Sequence, residues 1–470
     1  MPVLDTPAAY LAAAIASVRA QDFARWELCI VDDASVAPHV TALLEREAAA
    51  DPRIRVARSA RRLGIAAATN AALALAGGEF VALLDHDDEL AHHALGRVAV
   101  EIDRYPDVAV LFSDEDKIGH GGRYGPYFKP GWNPDLLLGQ NLVSHLGVYR
   151  RSLLIELGGL RENFEGSQDH DLALRATGMA GNARVRHIPE VLYHWRQVQG
   201  SFSAKHADQA SVAGRRAVAE HLPDGCCVEP NRDLPQWTRI YHALSDPPPV
   251  VSIVVESGDG PSDPSYGALE PVRVASEAVL GSVLLFLAPG LVPHEPGWVR
   301  EMASQAVREG VGAVGGRLDG PDGHILQAGL WLDPAFIRQT LHPGSDAGDP
   351  GYFGQFHLVR TVSAVSGACL AVRRDVFEAA GGFDARCAPY ADIDFCLRLA
   401  SQGLRCVWTP HARFRASGRL KVLGDRGAAR LMRVRWPDAL ACDPYTNPNL
   451  AIRRGNLTLV CAAHRKIFAA

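Results

Sequence analysis

Phe80–Leu90 reads FVALLDHDDEL, five apolar residues running directly into four acidic groups within five positions. An apolar run bounded by a polar turn reads as a buried strand of a parallel sheet. An open α/β sheet places its ligand at the carboxyl ends of such strands. Asp85, Asp87 and Asp88 then crowd like charges at a strand end, which costs free energy unless a cation or a hydrogen-bond network offsets it. Oxygen ligands on a short turn suit Mg2+ or Mn2+ carrying a diphosphate, because these ions take one or two carboxylates and complete their shell from phosphate and water. The plainer alternative is a solvated cap for the next helix.

Upstream, residues 10–20 have helical spacing and lead into a short strand at Trp26–Val31 that ends on Asp32 and Asp33, a second junction of strand and acid. Val40–Ala50 reads as a helix, Ile54–Ala57 as a strand and Gly64–Ala76 as an alanine-rich helix. Downstream, Ala94–Arg104 is helical, Val108–Phe112 is a strand, and Gly119–Gly122 marks a hairpin-type turn. This alternation predicts an α/β fold with a parallel sheet and helices on both faces. A helix from Ser152 is expected to stop at Gly158 and Gly159, and a new one to start at Asp169.

With 470 residues the chain is too long for one ordinary core, so two domains are expected. Its 47% hydrophobic and 21% charged residues fit a globular protein, and a net charge of −5 argues against a general nucleic-acid binder. Nine scattered cysteines form neither a zinc pattern nor a disulfide framework, which points to reduced cytosol. No run of about 18 apolar residues is present to span a bilayer, and no leader pattern opens the chain.

The second half repeats the first. Arg150, Arg151, Gly158, Gly159, Asp169, Asp171 and Arg175 recur without a gap, at one constant offset, as Arg373, Arg374, Gly381, Gly382, Asp392, Asp394 and Arg398. Two copies of one fold are the economical reading. Aligning Leu287 with Leu84 puts Ala288, Pro289, Gly290 and Leu291 where Asp85, His86, Asp87 and Asp88 stand, so the copy has lost its carboxylates. The expected division is 1–200, a partly helical linker over 201–249, and 250–470.

WELCIVDDAS, GEFVALLDHDDEL, LFSDEDKI, GVYRRSLL, FEGSQDHDLALR and HIPEVLYHWR together resemble the family 2 glycosyltransferases of GT-A fold, in the bacterial two-domain form associated with cell-surface polysaccharides such as O-antigen. SAVSGACLAVRRDVF, GGFDARCAPYADIDFCLRLASQGLRCVWTP and DPYTNPNL resemble the second domain of that form. The resemblance implies two tandem GT-A domains, the first lacking its usual N-terminal strand because the chain opens at MPVLDTP, the second degenerate. It implies metal-dependent inverting transfer of a sugar from a nucleotide-diphosphate donor to a hydroxyl of a glycan or lipid-linked acceptor. Such a displacement needs a cation, Mn2+ or Mg2+, for the departing diphosphate and a base for the attacking hydroxyl.

By that resemblance Asp85 and Asp87 hold metal and diphosphate, and Asp33, with Asp32, recognises base or ribose, an ordinary N-cap being the alternative. Asp169 matches the base, again against an N-cap, whereas Asp171 reads as structural. His194 is either a further ligand to the metal or a packing residue, and Trp195 either stacks on acceptor sugar or fills core. Asp114, Glu115 and Asp116 shape a loop or face the acceptor, unless they are a solvated turn. The basic residues Arg413, Arg415, Arg419, Lys421, Arg426, Arg430, Arg433 and Arg435 form a solvated face or touch anionic lipid at the inner side of the membrane. The second domain is expected to be noncatalytic. The rival from another class is a degenerate glycan-binding or scaffold protein.

Overall fold

A computed structural model describes residues 1–119, 121–197, 207–255, 260–273, 280–340, 345–418, 424–453 and 456–459. It divides into two compact units, one of Met1–Trp132 with Gln140–Leu222, the other of Asn133–Gly139 with Pro223–Ala470. Among the described residues, no helix is long and apolar enough to cross a membrane.

The first unit opens with a two-residue strand, β1 (Pro2–Val3), then α1 (Ala8–Arg19), β2 (Leu28–Asp32), α2 (Pro38–Ala50), β3 (Ile54–Arg58), α3 (Ile65–Leu75) and β4 (Phe80–Ala82). Leu11, Ala14, Ile15 and Val18 recur at helical spacing on α1 and are buried with Ile30 and Leu44. Proline at the first position of α2 supplies a helix-ready φ where no backbone N–H is needed. Next come β5 (Glu89–Leu90), α4 (Ala94–Arg104), the hairpin β6 (Val110–Gly119) and β7 (Gly122–Tyr127), then, after α5 (Pro134–Gly139), which belongs to the second unit, β8 (Gly147–Arg150), α6 (Arg151–Glu156), α7 (Gln168–Ala180) and β9 (Val185–Arg196). The helix Ala207–His221 closes the unit.

The strands form two sheets, β1-β2-β3 and β4-β8-β6-β9-β5, with β7 on β6. The first is parallel throughout, as expected. The second is mixed, with β6 and β9 parallel and β4, β8 and β5 antiparallel to their neighbours. The expectation of one parallel sheet fails at β8, which slots between β4 and β6 with reversed direction. Apolar periodicity locates a strand but carries no information about which way it runs. β4 is also shorter than its apolar run, since Leu83 and Leu84 already belong to the turn.

The second unit carries β10 (Cys227–Pro230), β11 (Thr238–Tyr241), β12 (Val251–Val255), β13 (Leu269–Arg273), β14 (Val283–Leu287), β15 (Leu291–Pro293), β16 (Val311–Asp319), β17 (Ile325–Gln327), β18 (Leu330–Asp333), β19 (Ile337–Thr340), β20 (Arg360–Val362), β21 (Cys369–Arg373) and β22 (Arg405–Ala416). Its main sheet runs β13-β12-β14-β21-β16-β22-β15. The stretch β14-β21-β16-β22-β15 reproduces β4-β8-β6-β9-β5 strand for strand, with every direction preserved. The chain is thus two tandem mixed α/β units of one topology. The turn after β14 closes differently from its counterpart, because Gly290 takes φ +79°, a conformation that L-residues rarely adopt.

The repeated residues explain themselves in packing terms. Asp171 is buried and accepts from Arg175 Nε at 2.9 Å and from Arg161. Arg175 also donates to the Leu157 and Gly159 carbonyls, at 3.2 and 2.8 Å. In the copy, Asp394 accepts from Arg398 at 2.9 Å and Arg398 reaches the Ala380 and Gly382 carbonyls. The clamp pins the left-handed turn at Gly158 and Gly159, or Gly381 and Gly382, to the helix that follows. In the basic stretch, Arg413 pairs with Asp319, Arg433 donates to the Pro334 and Ala335 carbonyls, and Arg435 pairs with Asp384 and Asp394. Arg419 and Lys421 lie outside the described residues. Replacing the buried Asp171 by Ala removes the carboxylate that Arg161 and Arg175 share, and a loss of about 3 kcal/mol is expected in urea denaturation. A loss under about 1 kcal/mol would place the clamp with ordinary surface ion pairs.

Candidate functional site

The acidic turn between β4 and β5 is held from β9. Tyr193 Oη donates to Asp88 Oδ2 at 2.6 Å, Arg196 N to Asp88 Oδ1 at 2.6 Å, and Arg196 Nε to the Asp87 carbonyl at 2.7 Å. Asp85 N donates to the Tyr193 hydroxyl oxygen at 3.3 Å. Metal-ligating atoms of Asp85, Asp88 and His145 all lie within 4.8 Å of one another. Two carboxylates that close repel by roughly 3–4 kcal/mol at an effective dielectric constant of 20, more than one charge-assisted hydrogen bond returns. Burial and the neighbouring Asp85 accordingly push the Asp88 carboxyl up to about 7. Burial also raises the Asp87 carboxyl.

His145 supplies the balancing charge. Its ring stacks on Tyr193 with centroids 4.6 Å apart. Burial would lower its pKa, but Glu115, Asp85 and Asp88 outweigh that and hold it at about 9. Glu115 Oε2 stands 3.4 Å from His145 Nδ1 and 3.0 Å from the fully buried Lys129 Nζ. Lys129 Nζ donates in addition to the carbonyls of Val143 and His145, at 3.0 and 2.6 Å. Burial opposes the Glu115 charge, yet Lys129 and His145 keep its carboxyl down at about 2. The loop 141–146 is therefore fixed from below by a buried ion pair.

That loop also reaches the first turn of α7. Asn141 Nδ2 donates to Asp169 Oδ2 at 2.7 Å, and Ser144 N donates to Asn141 Oδ1 at 3.1 Å. A chain of hydrogen bonds and adjacent residues thus runs from Asp169 through Asn141, Ser144 and His145 to Asp85 and Asp88. Trp195 borders it, its ring tilted against His145 at 6.0 Å with Lys117 Nζ 5.3 Å from its centroid.

The other sequence candidates are engaged elsewhere. Asp33 accepts from Leu63 N at 2.6 Å, Gly64 N at 3.0 Å and Ser59 Oγ at 3.2 Å, ordering the turn that starts α3. Asp32 accepts from Ser35 N at 2.9 Å and faces Arg58 at 3.4 Å. His194 has Asp116 on one ring nitrogen at 2.6 Å and Arg123 by the other at 3.1 Å. Asp87 and His194 do not belong to the grouping of Asp85, Asp88 and His145. The second acidic cluster is structural in each member, with Asp114 on His187, Glu115 on Lys129 and His145, and Asp116 on His194. Sequence reasoning missed His145 and Lys129, because neither stands in a pattern of acidic or strand residues.

Residues 1–158 match the model of glycosyl transferase family 2. An uncharacterized protein, y4gI, of Sinorhizobium fredii is 35% identical over 98% of this chain and 58% of its own length. The O-antigen biosynthesis protein RfbC of Myxococcus xanthus is 34% identical over 96% of this chain and 40% of its own length. The chain spans about half the length of these curated relatives. Among solved structures, residues 1–349 of TarS from S. aureus align with 47% of this chain and 63% of their own length, at 20% identity and a TM-score of 0.38. A mannosyltransferase of Pyrobaculum calidifontis, solved with GDP-Man and Mn2+, aligns with 48% of this chain and 63% of its own at 22% identity and a TM-score of 0.38.

The pair formed by His145 and its carboxylates sets a pH dependence for the metal-free protein. Its folded pKa, about 9, lies above the ordinary 6.5, so its stabilisation is complete below pH 6.5 and declines as the pH rises through 9. Urea denaturation in chelator between pH 6 and 10 should show this decline in the native chain, and His145→Gln should flatten it.

Proposed function

We propose that the first unit transfers a sugar from a nucleotide-diphosphate donor to a hydroxyl of a glycan or lipid-linked acceptor, with inversion, in the making of a cell-surface polysaccharide. The observation that carries the reading is the continuous link from the acidic turn to Asp169 through Asn141 and His145. The family match over residues 1–158 and the likeness to an O-antigen biosynthesis protein support the reaction class and its setting.

Asp85, Asp88 and His145 would hold Mn2+ or Mg2+, a donor set of two carboxylates and one imidazole that suits a first-row divalent ion. Bound there, the ion would neutralise charge on the departing diphosphate. His145 would hold the ion through its neutral imidazole, the ion's charge standing in place of the imidazolium's. Asp169 acts as the base, its carboxylate aimed by Asn141 at an acceptor hydroxyl. Trp195 offers an aromatic face to acceptor sugar. Asp33 shapes the nucleotide side of the unit through the Leu63–Gly64 turn, with Asp32 beside it.

The second unit is noncatalytic in this reading. Asp392, the counterpart of Asp169, is tied to Arg338 and to Gly367 N, and Ala288 to Leu291 supply no carboxylate to hold a diphosphate.

Asp169→Asn is expected to lower transfer by a factor of about 10²–10⁴ while uridine or guanosine diphosphate still binds with unchanged affinity by calorimetry. Surviving transfer would remove Asp169 as the base. Asp88→Ala should abolish the manganese-dependent part of nucleotide binding, and identical affinities with and without manganese in the native chain would remove the metal. Glycan binding with no nucleotide binding at all would favour a scaffold over an enzyme.

A further inference from the structure

One side chain of β9 touches every member of the grouping of Asp85, Asp88 and His145. The Tyr193 hydroxyl donates to Asp88 Oδ2 at 2.6 Å and accepts from Asp85 N at 3.3 Å. Its ring lies against the His145 imidazole, with centroids 4.6 Å apart and planes 15° apart. Tyr193 is fully buried, paired with Glu115 of β6 on one side and Leu90 of β5 on the other. A ring packed in this way has one place for its hydroxyl, and that place fixes where the Asp88 carboxylate lies.

The second unit shows the same position where the acids are absent. Phe414 stands there for Tyr193, opposite Leu318 and Pro293 as Tyr193 is opposite Glu115 and Leu90. Ala288 and Leu291 stand for Asp85 and Asp88, and Ala368 holds the place ahead of Arg373 that His145 holds ahead of Arg150. Leu318 stands for Glu115, the partner of His145. All three grouped side chains, the hydroxyl and the acid behind His145 are thus apolar together in the copy. Polarity is not lost throughout that end of the sheet, because Asp319 stands for Asp116, and Asp392 and Asp394 stand for Asp169 and Asp171. Phe414 is fully buried and packs edge-on against Trp298 at 5.1 Å, so the scaffold accepts the ring without its oxygen. A buried phenol with no partner costs stability, which disfavours a hydroxyl where no carboxylate meets it. The oxygen of Tyr193 therefore belongs with the carboxylates and not with the packing of the strand.

We propose that Tyr193 is the positioning residue of the cation site, its hydroxyl aiming the Asp88 carboxylate and its ring seating the His145 imidazole. The inference rests on the reading of Asp85, Asp88 and His145 as ligands of Mn2+ or Mg2+. Groups behind a ligand fix the direction of its lone pairs, and their loss weakens metal binding by about 10- to 100-fold. Without the hydroxyl, Asp88 keeps the bond from Arg196 N and is free to turn about it, while the ring contact with His145 is retained.

The test is Tyr193→Phe in the full chain, which gives the first unit the side chain that the second carries. Free Mn2+ is followed by electron paramagnetic resonance, with the chain alone and with uridine or guanosine diphosphate added, and the melting temperature is read in chelator. Tyr193→Phe is expected to weaken Mn2+ binding by a factor of about 10 or more. Asp171→Ala, which loosens the same unit away from the acidic turn, is expected to leave Mn2+ affinity unchanged. Equal Mn2+ affinity in Tyr193→Phe and the native chain overturns the proposal and leaves the metal reading standing, whereas no Mn2+ binding by the native chain overturns both. A loss of Mn2+ affinity shared by Asp171→Ala overturns it as well, since the loss would then follow general loosening. So does a Tyr193→Phe chain that shows no melting transition in chelator, because the oxygen would then serve the fold.

Discussion

Three carboxylates within four residues at the end of a strand repel one another, and much of the first unit is arranged around that repulsion. Tyr193 and Arg196 answer it from β9 with hydrogen bonds to Asp88. His145 answers it with charge, and is itself held by Glu115, which is in turn held by a lysine with no exposure to water. A lysine is taken wholly out of water only when its charge is matched, and here one carboxylate and two carbonyls do so. The result is a turn whose acids are matched by hydrogen bonds from β9 and by one titratable ring.

The parts legible in the sequence were those with a local cause. The helices Ala8–Arg19, Pro38–Ala50 and Ala94–Arg104 follow from spacing and composition. The repeat was visible as identities, and Asp171 could be set apart from Asp169 because two residues along a helix turn a side chain to another face. Strand direction was not legible, since β8 has the same apolar look whether it runs with β4 or against it. Nor was the partnership of His145 with Asp85 and Asp88, which depends on a loop 60 positions away folding back across the sheet. Asp33 illustrates a different difficulty. An acid after a strand can bind a ligand or order a neighbouring turn, and the hydrogen bonds from Leu63 N and Gly64 N, which the sequence does not reveal, show that Asp33 orders one.

The two units share a scaffold and differ in what is mounted on it. Both keep the clamp of Asp and Arg behind the paired glycines, and both keep the order and direction of five strands. The second has replaced the acids by a turn with Gly290 in a left-handed conformation, so its backbone at that point is rebuilt and not merely stripped of side chains. The topology is therefore insensitive to what the turn carries, which separates the requirements of folding from those of chemistry within a single polypeptide.

The path of the chain has a further consequence. After Trp132 it contributes Asn133–Gly139 to the second unit and then returns at Gln140. There Asp135 is buried between Arg308 and Arg405, and Asn133 exchanges hydrogen bonds with Thr361. Lys129 lies four residues before that excursion and Asn141 two residues after it. A gene fragment ending at Leu222 would release Leu136, Leu137 and Leu138 from their burial and slacken the peptide between the buried lysine and the site loop. The halves share one topology, yet cutting the chain between them would leave part of the second in the first.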